Sequence, residues 1–443
     1  MQERREGPEG LSPIATALAR AIHAEPLELR AVLLAFAYFF CLMAGYYVLR
    51  PLRDEMAIAG CVKDLPWLFS GTFAVMLLAV PAFSAVAAKM PRARFIPLCY
   101  RFFVVLLLAF WAVFELKLSR IGAARAFFIG IGVYNLFVVS IFWSFMADIF
   151  RHGQGARLFG FIAAGGTAGA LAGPLLTTWL VRPLGPTNLL LISAAMLEVC
   201  VHCVGALNRW SIAVHGPLQA KKEAQALGGD LFSGIKLVFS SPFLLGIALY
   251  VLLLTTTSTF LYLEQAQIVS KASNDSAVRT ALFARIDLVV NVATLILQSF
   301  ITGRLVKRAG VVAGIALLPV LTALGFIGLA LSPGILMLTV VQGVRRSVHH
   351  GIERPSREIL FTVVDREQKY KSKNFIDTVV YRGGDALSSW IGTALQGLGM
   401  GFGAVTAAAV VLSIAWLWNS LFLARRDEAL ETRKPALAAG DTP

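Results

Sequence analysis

Residues 31–50 read AVLLAFAYFFCLMAGYYVLR, an uncharged apolar run closed by an arginine. A helix needs about 20 predominantly apolar residues to cross the hydrocarbon core of a bilayer, so this run alone is long enough to span. It is too long for the apolar centre of a signal peptide, and no small-residue cleavage site follows it, so it is expected to persist as the first spanning helix. Comparable runs recur along the chain near 27–49, 67–88, 95–116, 125–147, 158–181, 187–207, 243–263, 286–303, 311–331, 334–350, 374–396 and 401–424. This layout predicts an all-α integral membrane protein of twelve transmembrane helices.

Composition agrees. The chain has 443 residues, 57% hydrophobic and only 15% charged, where soluble domains carry about 25% charge. The mean hydropathy is +0.71. A net charge of +14 would raise nucleic acid as a partner of a soluble protein. In a membrane protein, positive charge instead collects in cytoplasmic loops and sets topology. With a cytoplasmic N-terminus, the inner segments hold about 28 basic residues and the outer loops about 10. The reading is a multi-pass protein of the bacterial inner membrane, with both termini cytoplasmic and no nucleic-acid partner. Acidic residues among Glu3, Glu6, Glu9, Glu25 and Glu28 argue against an organelle transit peptide. Of the cysteines, Cys41, Cys99, Cys200 and Cys203 lie in apolar runs, which argues against a disulfide scaffold. Cys200 and Cys203 flank His202 in a C-x-x-C, but no second ligand pair exists, so packing is the preferred reading. No metal or cofactor is expected.

The second half echoes the first at an offset of about 217 residues. Pro26 opens the first run and Pro242 the seventh. Asp148 ends the fourth and Asp365 follows the tenth. Gly165-Gly166 sits in the fifth run, Gly383-Gly384 in the eleventh. Their common register predicts two six-helix repeats. The expected organisation is a tail over 1–26, bundles over 27–207 and 242–424, a linker over 208–241 and a polar, unstructured tail over 425–443. Part of the linker, Leu227 to Phe239, reads as an amphipathic helix on the membrane surface.

An ionisable side chain at membrane depth is costly unless it faces a cavity or a partner, so the charges inside the runs are the first candidates for function. Arg382 and Asp385 lie three apart near the centre of the eleventh run, hence on one helix face. They form either a mutual ion pair or a substrate site. Glu198 in the sixth run is a candidate for proton or charge coupling, as is Asp385; Glu198 is equally a partner for a basic residue, and Arg101 in the third run snorkels toward the inner surface. Asn291 is a polar insertion that lines a cavity or bonds between helices. The first run ends in Tyr46-Tyr47-Val48-Leu49-Arg50-Pro51-Leu52-Arg53-Asp54. Arginines bind phosphate or carboxylate bidentately and tyrosine stacks on rings; the same residues also make an ordinary interfacial anchor. The inner loop after the tenth run carries Arg345, Arg346, Arg354, Arg357, Glu358, Asp365, Arg366, Glu367, Lys369, Lys371 and Lys373, and its counterpart carries Asp148, Arg151 and Arg157. Asp148, Arg157, Asp365, Lys371 and Lys373 are candidates for ion-pair gating, the alternative being the topology signal alone.

Gly303-Arg304-Leu305-Val306-Lys307-Arg308-Ala309-Gly310 resembles the G-x-L-x-D-R-x-G loop of the major facilitator superfamily, with Lys307 in place of the acid. The fifth run, with Gly160, Gly169 and Gly173-Pro174, resembles that superfamily's antiporter motif, with Thr177-Thr178 where the motif closes in Gly-Gly. Small residues at this spacing let helices approach closely. Residues 370–385, YKSKNFIDTVVYRGGD, look like the eleventh-helix region of the non-mitochondrial ATP/ADP antiporters, and the end of the first run looks like that family's Leu-Arg-Asp region interrupted by Pro51-Leu52. The chain is most similar to the free-living bacterial branch. The resemblance implies a major-facilitator-like fold, and nucleotide exchange in which Arg50, Arg53 and Arg382 stand where the carriers have functional basic residues.

The reading is a secondary transporter for a small organic anion, a nucleotide by ATP/ADP-type exchange, through an alternating-access site between two helical bundles. Arg50, Arg53, Arg382, Asp385, Tyr46, Tyr47 and Asn291 are the expected substrate-binding residues. The alternative is a proton-coupled facilitator exporting drugs or amphiphilic cations. No G-x-x-x-x-G-K-[ST], H-E-x-x-H or G-x-S-x-G motif occurs, so neither a pump nor an enzyme is expected. A monomer in the lipid bilayer is the expected assembly.

Overall fold

The computed structural model describes residues 25–60, 62–118, 120–150, 152–215, 231–361, 364, 368, 372–373, 375–398 and 402–439. These are 94% helical and contain no strand. The helices are α1 (Pro26–Ala59), α2 (Leu65–Lys89), α3 (Arg92–Glu115), α4 (Arg120–Ile149), α5 (His152–Leu184), α6 (Leu189–His215), α7 (Leu231–Ser240), α8 (Pro242–Ala272), α9 (Ser276–Ile296), α10 (Thr302–Leu331), α11 (Ile335–Val348), α12 (Arg354–Leu360), α13 (Tyr381–Gly397) and α14 (Phe402–Ala439). A 3-10 turn covers Val62–Asp64, and π turns cover Leu297–Ile301, His349–Glu353 and Ile376–Val380.

Local chemistry sets the boundaries. Ser241 caps α8 by accepting from the Leu244 N–H, with Pro242 in the first turn, where its missing N–H costs nothing. Asp275 caps α9 by accepting from Ala277 N–H. Gly310 takes φ +72°, a left-handed backbone open to glycine, and breaks the helical stretch there. Of the two loop glycines, Gly310 therefore carries the turn and Gly303 stays helical. α14 runs on to Ala439, where the sequence reading expected an unstructured tail from residue 425. Residues 425–434 (RRDEALETRK) are almost all strong helix formers, so the helix of the twelfth run simply propagates. The linker does hold a short helix, α7, while residues 216–230 lie outside the described set.

Among the described residues nine helical stretches are long and apolar enough to cross a membrane. Large apolar side chains such as Trp67, Leu78, Val105, Trp179, Leu331, Leu336 and Trp418 are exposed, as expected of surfaces that face lipid.

The chain divides into two compact units, one over 1–51, 82–118 and 131–226 and the other over 52–81, 119–130 and 227–443. The divide falls inside α1, α2 and α4. In α1 and α2 it falls at Pro51 and Pro81, where a missing backbone donor loosens the helix.

In the first unit α3 packs on α6, and α5 crosses α1 on glycines. A Cβ on Gly165 would meet the Phe36 carbonyl oxygen, one on Gly166 the Phe39 ring, and one on Gly169 the Phe40 carbonyl oxygen and Ala44 nitrogen. Gly160 has nothing within 4 Å. Tyr38 shares a hydroxyl hydrogen bond with Tyr100, which also donates to the Val138 carbonyl at 3.3 Å. Phe39 stacks on Phe142 at 4.1 Å.

In the second unit α8 is the most enclosed spanning helix and packs against α13 and α14. α13 approaches it on Gly384, where a Cβ would run into Thr255 and Leu252 of α8. The same unit holds the C-terminal end of α1. Tyr262 of α8 donates to Asp54 at 3.0 Å. Glu55, fully buried, takes Arg279 of α9 at 2.7 Å.

Gly169→Leu is expected to lower the melting temperature of the detergent-purified protein by a cost of about 1–3 kcal/mol, whereas Gly160→Ala leaves it unchanged or raises it slightly. Arg279→Met removes the arginine that meets the buried Glu55 carboxylate and is expected to cost about 3–5 kcal/mol; adding Glu55→Leu recovers most of the loss in the same melting assay.

Candidate functional site

The charges that the bilayer makes expensive gather in the second unit. Asp385, five residues into α13, is buried. Its carboxylate accepts from Thr259 Oγ1 of α8 at 3.2 Å and lies 3.5 Å from Arg382 Nη1, one helical turn back. The mutual pair considered from sequence therefore forms, with Thr259 as a third member. Arg382 keeps about a third of its side chain exposed and lies against the Tyr381 ring at 5.4 Å. It is held from one side and open on another.

Arg53 acts electrostatically on the same Asp385. Its guanidinium donates to Asp54 at 2.9 Å and sits over the Phe128 ring at 4.7 Å. Tyr262 completes the group through its bond to Asp54. Arg53, Arg382 and Asp385, far apart in sequence, thus belong to one cluster with Asp54, Thr259, Tyr262 and Phe128. Two guanidiniums meeting an aromatic ring and two carboxylates can exchange those carboxylates for an entering anion, because arginine presents the same fork to phosphate.

The other sequence candidates lie elsewhere. Arg50, Tyr46 and Tyr47 belong to the first unit, where the Arg50 guanidinium is 5.8 Å from the Tyr47 ring and the two tyrosine rings pack edge to face at 5.3 Å. Glu198 pairs with Arg101 at 3.1 Å, both partly exposed, and its carbonyl meets His202 Nδ1 at 2.8 Å. Asn291 is buried one turn beyond Asp287, which holds Arg346 at 2.8 Å. Asp148 pairs with Arg92, and Arg157 with Glu28 at 3.1 Å. Lys373 pairs with Glu358 at 2.6 Å. Asp365 and Lys371 lie outside the described residues. Cys200 and Cys203 are buried free thiols, and the Cys200 thiol lies 3.5 Å from the Tyr38 carbonyl.

Arg345 was read as a loop charge, but the structure buries it to 4% exposure inside α11. Its guanidinium donates to Ser258 Oγ at 2.8 Å, Thr257 Oγ1 and Thr322 Oγ1 at 3.2 Å and the Leu254 carbonyl at 3.3 Å. All four acceptors are neutral. The signal was present: Arg345 falls within the limits of the tenth run, with no helix breaker before it. Tyr262 was also missed, although the offset between halves matches it to Tyr46.

No protein-family model matches the chain. Among curated proteins it is similar to the ADP,ATP carrier protein 1 of Chlamydia muridarum (strain MoPn / Nigg), 23% identical over 504 aligned positions that take in 94% of this chain and 92% of the carrier. The ADP,ATP carrier protein 1 of Chlamydia trachomatis serovar D is also 23% identical, over 90% of this chain and 89% of that one. Among solved structures, a bacterial homologue of the iron transporter ferroportin in the inward-facing state superposes with a TM-score of 0.63 at 12% identity, covering 88% of this chain and 99% of that one. The nucleoside transporter NupG superposes at 0.58 and 14% identity, covering 92% and 99%. The chain is similar in sequence to ADP,ATP carrier proteins over nearly its full length, and its fold is similar to those of the solved ferroportin homologue and NupG.

Proposed function

We propose that the chain is a secondary transporter of the bacterial inner membrane that exchanges nucleotides, ATP against ADP, by alternating access. The observation that carries this reading is the likeness to ADP,ATP carriers, which extends over 94% of the chain rather than over one motif. The cluster of Arg53 and Arg382 around Asp385 supports it, because both are arginines suited to phosphate oxygens. With Arg345, the second unit has one more cation than anion among Arg53, Asp54, Arg345, Arg382 and Asp385. That balance suits an organic anion and disfavours the export of amphiphilic cations.

The proposed architecture is twelve spans in two repeats, over 27–207 and 242–424, with both termini cytoplasmic. The helical stretch 276–331 supports the span count: at 1.5 Å per residue it would be roughly 84 Å long if straight, far beyond one bilayer, and it breaks at Gly310. The glycine pairs support the repeat. Gly166 of α5 packs on Phe39 of α1, and Gly384 of α13 packs on Thr255 of α8; both members of the second pair follow the first at the common offset. In this reading Arg53 and Arg382 hold the substrate phosphates, Tyr262 and Phe128 flank them, and Asp54 and Asp385 occupy the guanidiniums when no anion is bound. Arg50, Tyr46, Tyr47 and Asn291 remain proposed contacts. Asp148, Arg157, Asp365, Lys371 and Lys373 remain proposed members of inner-side ion pairs.

Labelled ATP uptake into proteoliposomes is expected to accelerate when ADP is present inside. Arg382→Ala is expected to reduce the exchange about tenfold or more, from loss of a charge-assisted contact, and Arg382→Lys to restore part of it. Folded wild-type protein that exchanges no nucleotide overturns the reading.

A further inference from the structure

Glu264 lies in α8, two residues beyond Tyr262, and is 1% exposed. Among the described residues neither of its carboxyl oxygens has a hydrogen-bond partner and no ion pair to it forms. This sets it apart. Glu28, Asp54, Glu55, Asp287, Glu353 and Asp385 are also buried, and each meets an arginine.

The charges on the elements around α8 are engaged elsewhere. On α8 itself Lys271 is two turns further on and exposed. Arg53 and Asp54 hold each other, Arg279 of α9 holds Glu55, and Arg346 of α11 holds Asp287 of α9. Arg285 of α9 is exposed. Arg345 of α11 is saturated by neutral oxygens. Asp64 pairs with Arg125, beside Lys63. Arg382 of α13 holds Asp385, and α13 carries no further charge where Gly392 faces Leu263. Lys236, Asp377, Arg425, Arg426 and Asp427 belong to the opposite end of α8, where Asn419 of α14 donates to Gly246. The exposed Lys271, two turns along α8, acts on an ionised Glu264 only from a distance, and no ion pair to Glu264 forms among the described residues. A naked carboxylate in an apolar interior costs far more than protonation does, so the group takes a proton instead.

We propose that Glu264 is a proton-binding site of the transport cycle. It is a neutral carboxylic acid in this buried setting, and it releases one proton to water when the transport cycle exposes it. The step is a plain protonation: one carboxylate oxygen takes one proton from water and returns it, with no change in oxidation state. The ligand is the proton itself, and the consequence is that substrate movement responds to a pH gradient. The offset between halves places Val48 at the equivalent position of α1, so the site has no counterpart in the first half. The proposal rests on the reading of the chain as an alternating-access transporter.

The test has two arms on reconstituted full-length protein. Infrared difference spectra of wild type and Glu264→Gln at neutral pH are expected to show a protonated carboxylic-acid band that the variant lacks; an unchanged band, or a lost ionised-carboxylate band, overturns the proposal. This arm needs no substrate, so it stands even if nucleotide exchange fails. In the second arm, proteoliposomes carrying an internal pH dye receive external ATP. Wild type is expected to move protons with uptake, and Glu264→Gln to retain uptake but lose both the dye response and the stimulation by an imposed pH gradient. A variant that keeps both responses overturns the coupling.

Discussion

The hydrocarbon core of a bilayer contains no water to satisfy a backbone N–H or C=O, so every such group must find its partner within the chain. That one requirement accounts for the absence of strands among the described residues and for the length of helices such as α1 and α8. It also explains where irregular backbone is tolerated. Among the described residues the helical backbone breaks at Gly310 and is irregular at three π turns, while α1 and α2 run on through Pro51 and Pro81.

The same dryness governs the side chains. A charge inside the bundle is tolerated when another group repays its lost hydration. Two solutions occur in the second unit. Asp54, Glu55, Asp287, Glu353 and Asp385 are repaid by arginines. Arg345 is repaid by three hydroxyls and a carbonyl. A guanidinium whose hydrogen bonds go to neutral oxygens is not consumed by a direct ion pair, so it biases its surroundings toward anions, although Glu353 also acts on it. Glu264 follows neither solution, and neutralisation by a proton is the remaining one. Helix packing obeys a parallel economy of space: with no hydrophobic drive between helices in lipid, close contact depends on small residues, and Gly165, Gly169 and Gly384 supply it.

Much of this was legible in residue order. Apolar runs report spans because length and polarity are local properties, and nine helical stretches among the described residues are long and apolar enough to cross a membrane. The charged positions Arg382 and Asp385 were conspicuous for the same reason. The helical continuation past residue 425 was missed because polarity was taken for disorder, although residues 425–434 are almost all helix formers.

What the sequence by itself determined is therefore the all-helical membrane class and a short list of costly charges, since each depends on the solvent that a stretch of chain must enter. Tertiary structure alone decided the partners. It turned Glu198 toward Arg101 on a partly exposed face, drew Arg53 and Tyr262 to Asp54, buried Arg345 among hydroxyls, and left Glu264 with no partner among the described residues. The physical reason is that a buried charge is defined by what lies within a few ångströms of it. In a helical bundle most of those neighbours come from helices distant in sequence.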